Sequence, residues 1–368
     1  MNINLQCACH ELSYGVCGQN ILVGLARAGI DVAFFPLGGG VSAPPEFHPI
    51  IQKSIENAKS YDKYAPSLKL WHENSLQAHI GKGEHIGWPI FEVNKFDIVR
   101  KTCLSNQDRL VLSSHWAKQV IEDNGIKVPT IVVPLGFDPT IFYPKDNNKK
   151  FQGEPTKFIH IGKREYRKSQ VEMLECFEQA FSPNDNVKLT VVWGSELLKN
   201  ISPIEYEGFS LRFKRSPLSN KIKTIEWLPS QIEVAELLRL ADCGLFLSKA
   251  EGFNLGLLES MAVGNFNIIF YNSGMTEFTD EFSCMLVKPT EEEIIFDNIW
   301  FRDLNGGDGT WCKFGEYQHN QTIAYMRMVH KLKQDGGNLF NKEAISRSVE
   351  YTWENSVKKL ISILIGTV

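Results

Sequence analysis

The stretch 245-LFLSKAEGFNLGLLESMAVGN-265 decides how the rest of the chain is read. The apolar run from Cys243 to Leu247 has the composition of a buried strand, and it stops at Ser248. Glu251 and Gly252 then make a turn, with glycine supplying the backbone freedom. Asn254 is a good N-cap, and Leu255, Leu258, Met261 and Ala262 follow at helical spacing. Such a helix start offers unpaired amides and the positive end of a dipole, which suits a phosphate. Glu251 precedes the helix, and Glu259 lies a turn and a half into it, roughly 7 Å further along the axis. A diphosphate resting on the helix start would put one hydroxylated ring in reach of Glu251 and another in reach of Glu259, since carboxylates accept from vicinal hydroxyls. A nucleotide sugar has that shape; two solvated surface glutamates are the competing reading.

Outward from this unit, short apolar runs alternate with helical patterns, the signature of parallel sheets joined by helices. The predicted strands are Val32 to Pro36, Leu68 to Trp71, Leu110 to Ser113, Thr130 to Pro134, Lys157 to Ile161, Lys188 to Trp193, Cys243 to Leu247 and Phe266 to Tyr271. A polar, lysine-rich stretch from Phe142, FYPKDNNKKFQGEPTK, separates two blocks that each restart the alternation. The expected domains are residues 1–148 on the acceptor side, 149–345 on the donor side, and a C-terminal helix in 346–368 that packs back toward the first domain. After Pro289 the alternation fades into helical patterns, and Val357, Leu360, Ile361 and Leu364 make the apolar stripe of the last one. At 368 residues the chain is long for a single core, so two domains agree with the length. Two doubly wound, Rossmann-like α/β domains facing each other would place a ligand in the cleft at the carboxyl ends of their strands.

The 39 basic and 43 acidic side chains leave a net charge of −4, so there is no global attraction to nucleic acid or an anionic membrane. The eight cysteines show no metal-site spacing and read as reduced, mostly buried thiols. MNINLQCACH lacks a basic start followed by an apolar stretch, and no long apolar run exists, so a cytoplasmic protein without an integral membrane segment is expected.

SKAEGFNLGLLESMAVG resembles the donor-binding motif of glycosyltransferase family four, the retaining enzymes of the GT-B fold. The resemblance implies that Glu251 binds sugar hydroxyls, Glu259 the nucleotide ribose, and the Gly252, Phe253, Asn254 and Leu255 turn the diphosphate. Asn254 stands where that family most often has glycine. GKREYRKS, from Gly162, is similar to the family's basic segment and implies that Lys163 and Lys168 neutralise the diphosphate, with Arg164 and Arg167 in support; Ser169 stands where glycine is usual. Fixed cations are what a diphosphate leaving group calls for when no metal ligand set is visible.

Further pieces follow in the family's order. Pro134, Gly136, Asp138, Phe142 and Pro144 resemble its inter-domain segment, and the backbone near Trp227 and Leu228 its nucleobase contact. NSGMTEF, from Asn272, resembles the segment lining its sugar pocket. In the first domain a glycine-containing loop at Gly15, Val16 and Gly18 is expected to approach the donor. Glu92 is the first choice for the acid or base near the reacting carbon, and His72 the second. The resemblance implies a metal-independent, retaining hexosyl or pentosyl transferase, requiring no cofactor and using a UDP- or GDP-sugar as co-substrate. The acceptor stays open between a soluble glycan or small molecule and, as in some bacteriophage enzymes, hydroxymethylated bases in DNA. A silent nucleotide-sugar binding protein is the further alternative, although the sugar-side acid and both lysines are present. A phosphorylase would want a lysine context for pyridoxal and a longer chain. A dinucleotide oxidoreductase would want G-x-G-x-x-G in its first strand–helix turn.

Overall fold

The computed structural model describes residues 1–146, 153–194 and 197–365. In chain order the elements are β1 (Asn2–Cys7), α1 (Ser13–Arg27), β2 (Asp31–Pro36), α2 (His48–Asn57), β3 (Ser67–Trp71), β4 (His85–Pro89), α3 (Ile98–Ser105), β5 (Arg109–Leu112), α4 (His115–Asp123) and β6 (Thr130–Val132). They continue with β7 (Thr156–Ile161), α5 (Gln170–Ala180), β8 (Val187–Val192), α6 (Leu197–Ile201), α7 (Pro203–Lys214), β9 (Ile222–Ile225), α8 (Gln231–Leu240), β10 (Cys243–Phe246), α9 (Leu255–Ala262) and β11 (Phe266–Phe270). The last are β12 (Met285–Val287), β13 (Glu292–Ile294), β14 (Thr310–Cys312), α10 (Glu316–Gln334), α11 (Lys342–Ser348) and α12 (Trp353–Leu364). The chain divides into two compact units, Met1–Asp138 with Glu350–Val368, and Pro139–Val349. The boundary expected at residues 148 and 149 lies outside the described residues.

Each unit is a doubly wound sheet of six parallel strands. The first has the order β2-β1-β3-β4-β5-β6, so the chain reverses direction between β1 and β3. The second has the order β12-β11-β10-β7-β8-β9 and reverses between β7 and β10. In both, the crevice at the carboxyl ends of the reversal strands is where such sheets bind ligands.

All eight predicted strands are present to within two residues at their ends. Others escaped the apolar pattern for physical reasons. β1 buries Asn4 and Gln6, whose amides donate to Asp62 O (2.9 Å) and Ala78 O (3.2 Å). β4 contains Gly87 and ends at Pro89, while β9 is an edge strand with Lys223 and Thr224 exposed. Beyond Pro289, where only helices are expected, β13 and β14 pair as an antiparallel hairpin. All eight cysteines are free and seven are buried. Among the described residues no helix is long and apolar enough to cross a membrane.

The second core joins Phe158, Phe177 and Phe181 beneath β7 to Trp193 and Phe213 beneath β8. In the first unit α12 lies against α1, where Gly24 leaves room for Val357. Its buried apolar face is Trp353, Val357, Leu360 and Ile363, so the predicted stripe is rotated: Ile361 and Leu364 are only half-buried. The strand-like bridge that starts this helix pairs Phe137 with Thr352, and Trp353 N donates to Phe137 O (3.2 Å).

Gly136 makes that bridge possible, because a Cβ there would lie 2.3 Å from backbone atoms of Thr352 and Trp353. Gly136→Ala is expected to destabilise the protein by about 1–3 kcal/mol, read as a lower urea midpoint. Gly208→Ala, on the open face of α7, is the control, and is expected to raise the midpoint slightly.

Candidate functional site

Two turns meet at the reversal point of the second sheet. One leaves β7 at Gly162 and carries Lys163 to Ser169 into α5; the other leaves β10 and carries Ser248 to Asn254 into α9. Ser169 and Asn254 both have left-handed backbones, with φ of +49° and +81°. These are the two positions where the resembled family prefers glycine, and the conformation gives the reason. Asparagine tolerates it, and Asn254 Oδ1 caps α9 by accepting from Leu257 N (3.2 Å).

The turns are joined by charge. Glu251 is buried, and its carboxylate takes Lys168 Nζ at 2.5 Å and Arg167 Nη1 at 3.1 Å. Arg167, buried as well, also donates to Ala250 O and binds Glu165 at 2.7 Å. Glu165 takes Lys163 Nζ at 2.6 Å on its other oxygen. Burial pushes the Glu165 pKa up, but Lys163, Arg167 and Lys168 outweigh it and hold the group at about 2. For Glu251 burial again works upward, and Lys168 and Arg167 bring the pKa below the usual value. Both carboxylates are therefore ionised.

Backbone and neutral groups fix these charges. Glu251 N donates to Ser273 Oγ (2.7 Å) and Gly274 N to Glu251 O (2.9 Å). Gly274 packs so closely that a Cβ would lie 2.3 Å from Gly252 O. Beneath the other turn, Gln170 Nε2 donates to Gly162 O (3.0 Å) and Lys163 O (2.9 Å) and lies 3.1 Å from His160 Nε2. His160 Nδ1 faces the Leu245 carbonyl at 2.8 Å, so that nitrogen carries the proton; burial holds the ring neutral, with a pKa of about 4. Ser273 lies in the segment from Asn272 that the resemblance marked, whereas Glu165, His160 and Gln170 were not read from the sequence. Glu165 alone had a signal there, as the single acid inside the basic run.

Glu259 is the opposite of Glu251. It lies in α9, is buried, and has no ion-pair partner among the described residues; burial raises its pKa to about 8. Gly252 and Phe253 are buried and Leu255 opens α9; the Phe253 ring packs at a tilt against Phe278, 4.8 Å between centres. Trp227 is exposed just after β9, with Leu228 half-buried beside it.

The remaining predicted residues belong to the first unit. Gly15, Val16 and Gly18 are not in a loop: they are buried inside α1. A Cβ at Gly15 would lie 2.3 Å from His10 N, and one at Gly18 would lie 2.0 Å from Ala8 O, so the protein's own backbone requires these glycines. Glu92 is half-buried beyond β4, and His72 is exposed at the end of β3. Between them, Tyr14 donates to Ile90 O (2.6 Å) and packs on His72 (4.6 Å) and Trp71 (5.7 Å). Burial, followed by Glu92 and Glu73, raises the Tyr14 pKa well above normal, so its hydroxyl stays protonated.

Two parallel six-stranded sheets flanked by helices are the architecture of the GT-B proteins. Sucrose-phosphate synthase from Thermosynechococcus elongatus superposes with a TM-score of 0.70 at 15% identity, covering 100% of this chain and 99% of the other. HepE of Anabaena, solved with UDP-glucose, gives 0.69 at 14% identity with both chains fully covered. Trehalose-6-phosphate synthase from Burkholderia multivorans gives 0.65 at 11%, covering 100% and 96%. No curated protein matches the chain in sequence. Residues 144–299, which lie in the second unit, match the family model of glycosyl transferases group 1.

The raised Glu259 pKa has a consequence for stability. Folding takes up a proton between the ordinary value of 4.5 and about 8, so this group's contribution to stability is lost as pH rises through that window. Glu259→Gln removes the slope. Its advantage over the wild type in urea titrations is expected to grow with pH to about 2–4 kcal/mol near pH 8.5.

Proposed function

We propose that the protein is a retaining glycosyltransferase that moves a sugar from a UDP- or GDP-sugar to an acceptor hydroxyl without needing a metal or other cofactor. The observation that carries this reading is the pairing of the Lys163–Lys168 turn with buried Glu251 at the reversal point of the second sheet. The family match over the same residues supports it, as do the UDP-glucose complex of HepE and a structure of trehalose-6-phosphate synthase concerned with glycosyl transfer with retention.

On this reading the diphosphate rests on the start of α9, at Gly252, Phe253, Asn254 and Leu255, and is neutralised by Lys163 and Lys168. Glu251 accepts from sugar hydroxyls. Glu259 accepts from the ribose, whose donors compensate the buried charge that the free protein resists. Trp227 and Leu228 line the base. The bond from the anomeric carbon to the phosphate oxygen breaks as the acceptor oxygen bonds to that carbon on the same face. The departing phosphate oxygen takes the acceptor's proton, and Glu92 assists or positions. Residues 1–148 form the acceptor side.

Lys168→Ala and Glu251→Gln are each expected to lower transfer by about 10²–10³-fold; near wild-type turnover in either overturns the donor-site assignment. The assay follows from a thermal-shift screen of UDP- and GDP-sugars, in which saturating donor should raise the melting temperature. Acceptors are then screened, with soluble glycans and small molecules in one arm and hydroxymethylated DNA in the other. A protein stabilised by no nucleoside diphosphate would not be this enzyme.

A further inference from the structure

The segment that spans the end of the family match is docked onto the cation turn. β13 and β14 pair through Glu292 with Cys312 and Ile294 with Thr310, and residues 295–309 join them. That loop is internally built. Asp297, buried, accepts from the amides of Ile299 (2.8 Å), Trp300 (2.5 Å) and Phe301 (3.1 Å). Asn305 closes it, accepting from Asp297 N (2.9 Å) and donating to Asp297 O (3.0 Å). Two successive aromatic residues are thereby aimed at the basic turn rather than left free.

The contacts run the length of that turn. Lys163 Nζ sits 4.7 Å from the centre of the Trp300 ring, and Trp300 Nε1 donates to Arg164 O (3.4 Å). Phe301 lies 5.8 Å from the Arg167 guanidinium and is held edge-on by Trp311 at 5.2 Å. Glu293 takes Lys249 Nζ (2.7 Å) and Tyr166 Oη (3.4 Å). Cys312 N donates to Lys249 O (3.2 Å), which ties the hairpin to the Glu251 turn as well.

Of the turn's charged groups Lys163 needs this most. Its side chain is 44% exposed, on a long flexible stem, whereas Arg167 is buried among several partners. Glu165 grips the ammonium from one side and the Trp300 ring from another. An indole face attracts a cation without neutralising it or competing for a formal negative charge. It can therefore preorganise an ammonium that still has to meet a phosphate, which a second carboxylate would do less well.

We propose that Trp300 is a positioning residue for the donor: it holds Lys163 where the diphosphate must arrive, so the loop between β13 and β14 is part of the donor site although the family match stops at residue 299, one short of Trp300. This rests on the nucleotide-sugar reading above. The test is calorimetric titration with UDP and GDP of the wild type, Trp300→Ala, Trp300→Leu, Trp300→Phe, Lys163→Ala and the double variant Trp300→Ala/Lys163→Ala. Trp300→Ala and Trp300→Leu are expected to weaken binding of the preferred nucleotide about two- to fivefold, and Trp300→Phe to recover most of the loss. In the Lys163→Ala background, Trp300→Ala should cost nothing further, because the coupling has been removed. Wild-type affinity in Trp300→Ala, or an equal loss with and without Lys163, overturns the proposal while leaving the donor reading in place. A wild type that binds neither UDP nor GDP overturns the donor reading, and this proposal with it.

Discussion

An ionised carboxylate taken out of water must be paired, and Glu251 is one. Its partners Lys168 and Arg167 come from the turn after β7, while Glu251 itself follows β10. The two turns can meet only because β7 and β10 are neighbours, in register at Cys243 with Phe158 and Gly244 with Ile159. Sheet order therefore sets the site. Once Glu251 has claimed Arg167, a second buried acid, Glu165, is needed to balance that guanidinium, and Glu165 in turn draws in Lys163. Each side chain follows from the charge requirement of the one before it.

The two acids that frame α9 meet this requirement in opposite ways. Glu251 precedes the helix and lies against cations. Glu259 sits inside it, where burial holds its carboxyl up at about 8. Identical side chains eight residues apart thus have different appetites: one already has its charges matched, and the other would gain from hydroxyl donors. On the proposed reading a ligand with hydroxyls at both ends would meet an acceptor already charged at Glu251, and at Glu259 one whose ionisation its donors would favour.

Much of this was legible in the sequence because it is local. The strand, turn and helix around Glu251, the Asn254 cap and the alternation of two sheets are all set by short-range patterns. What escaped reading depends on distant partners. β1 hides Asn4 and Gln6 inside the sheet because carbonyls of Asp62 and Ala78 are there to receive them. Gly15 and Gly18 suggested a ligand loop, but the surface they approach is the chain's own backbone at His10 and Ala8. Ser169 and Asn254 stand where the resembled family usually has glycine; both residues keep the left-handed backbone that makes glycine common there. The basic run could not show that Glu165 lies at its centre of charge, since that depends on Arg167 turning inward.

The number of charges also bears on how such a site could receive a dianion. Lys163, Arg167 and Lys168 share Glu165 and Glu251, leaving one positive charge in excess. On the proposed reading a diphosphate would meet that single excess charge, and contact with it would move an ammonium from a carboxylate to a phosphate oxygen. Lys163 and Lys168 can each leave without stranding a partner, because Arg167 is paired with both Glu165 and Glu251 and is itself anchored on Ala250 O. On the proposed reading Arg167 would stay to keep the buried carboxylates ionised while a lysine turned toward the phosphate.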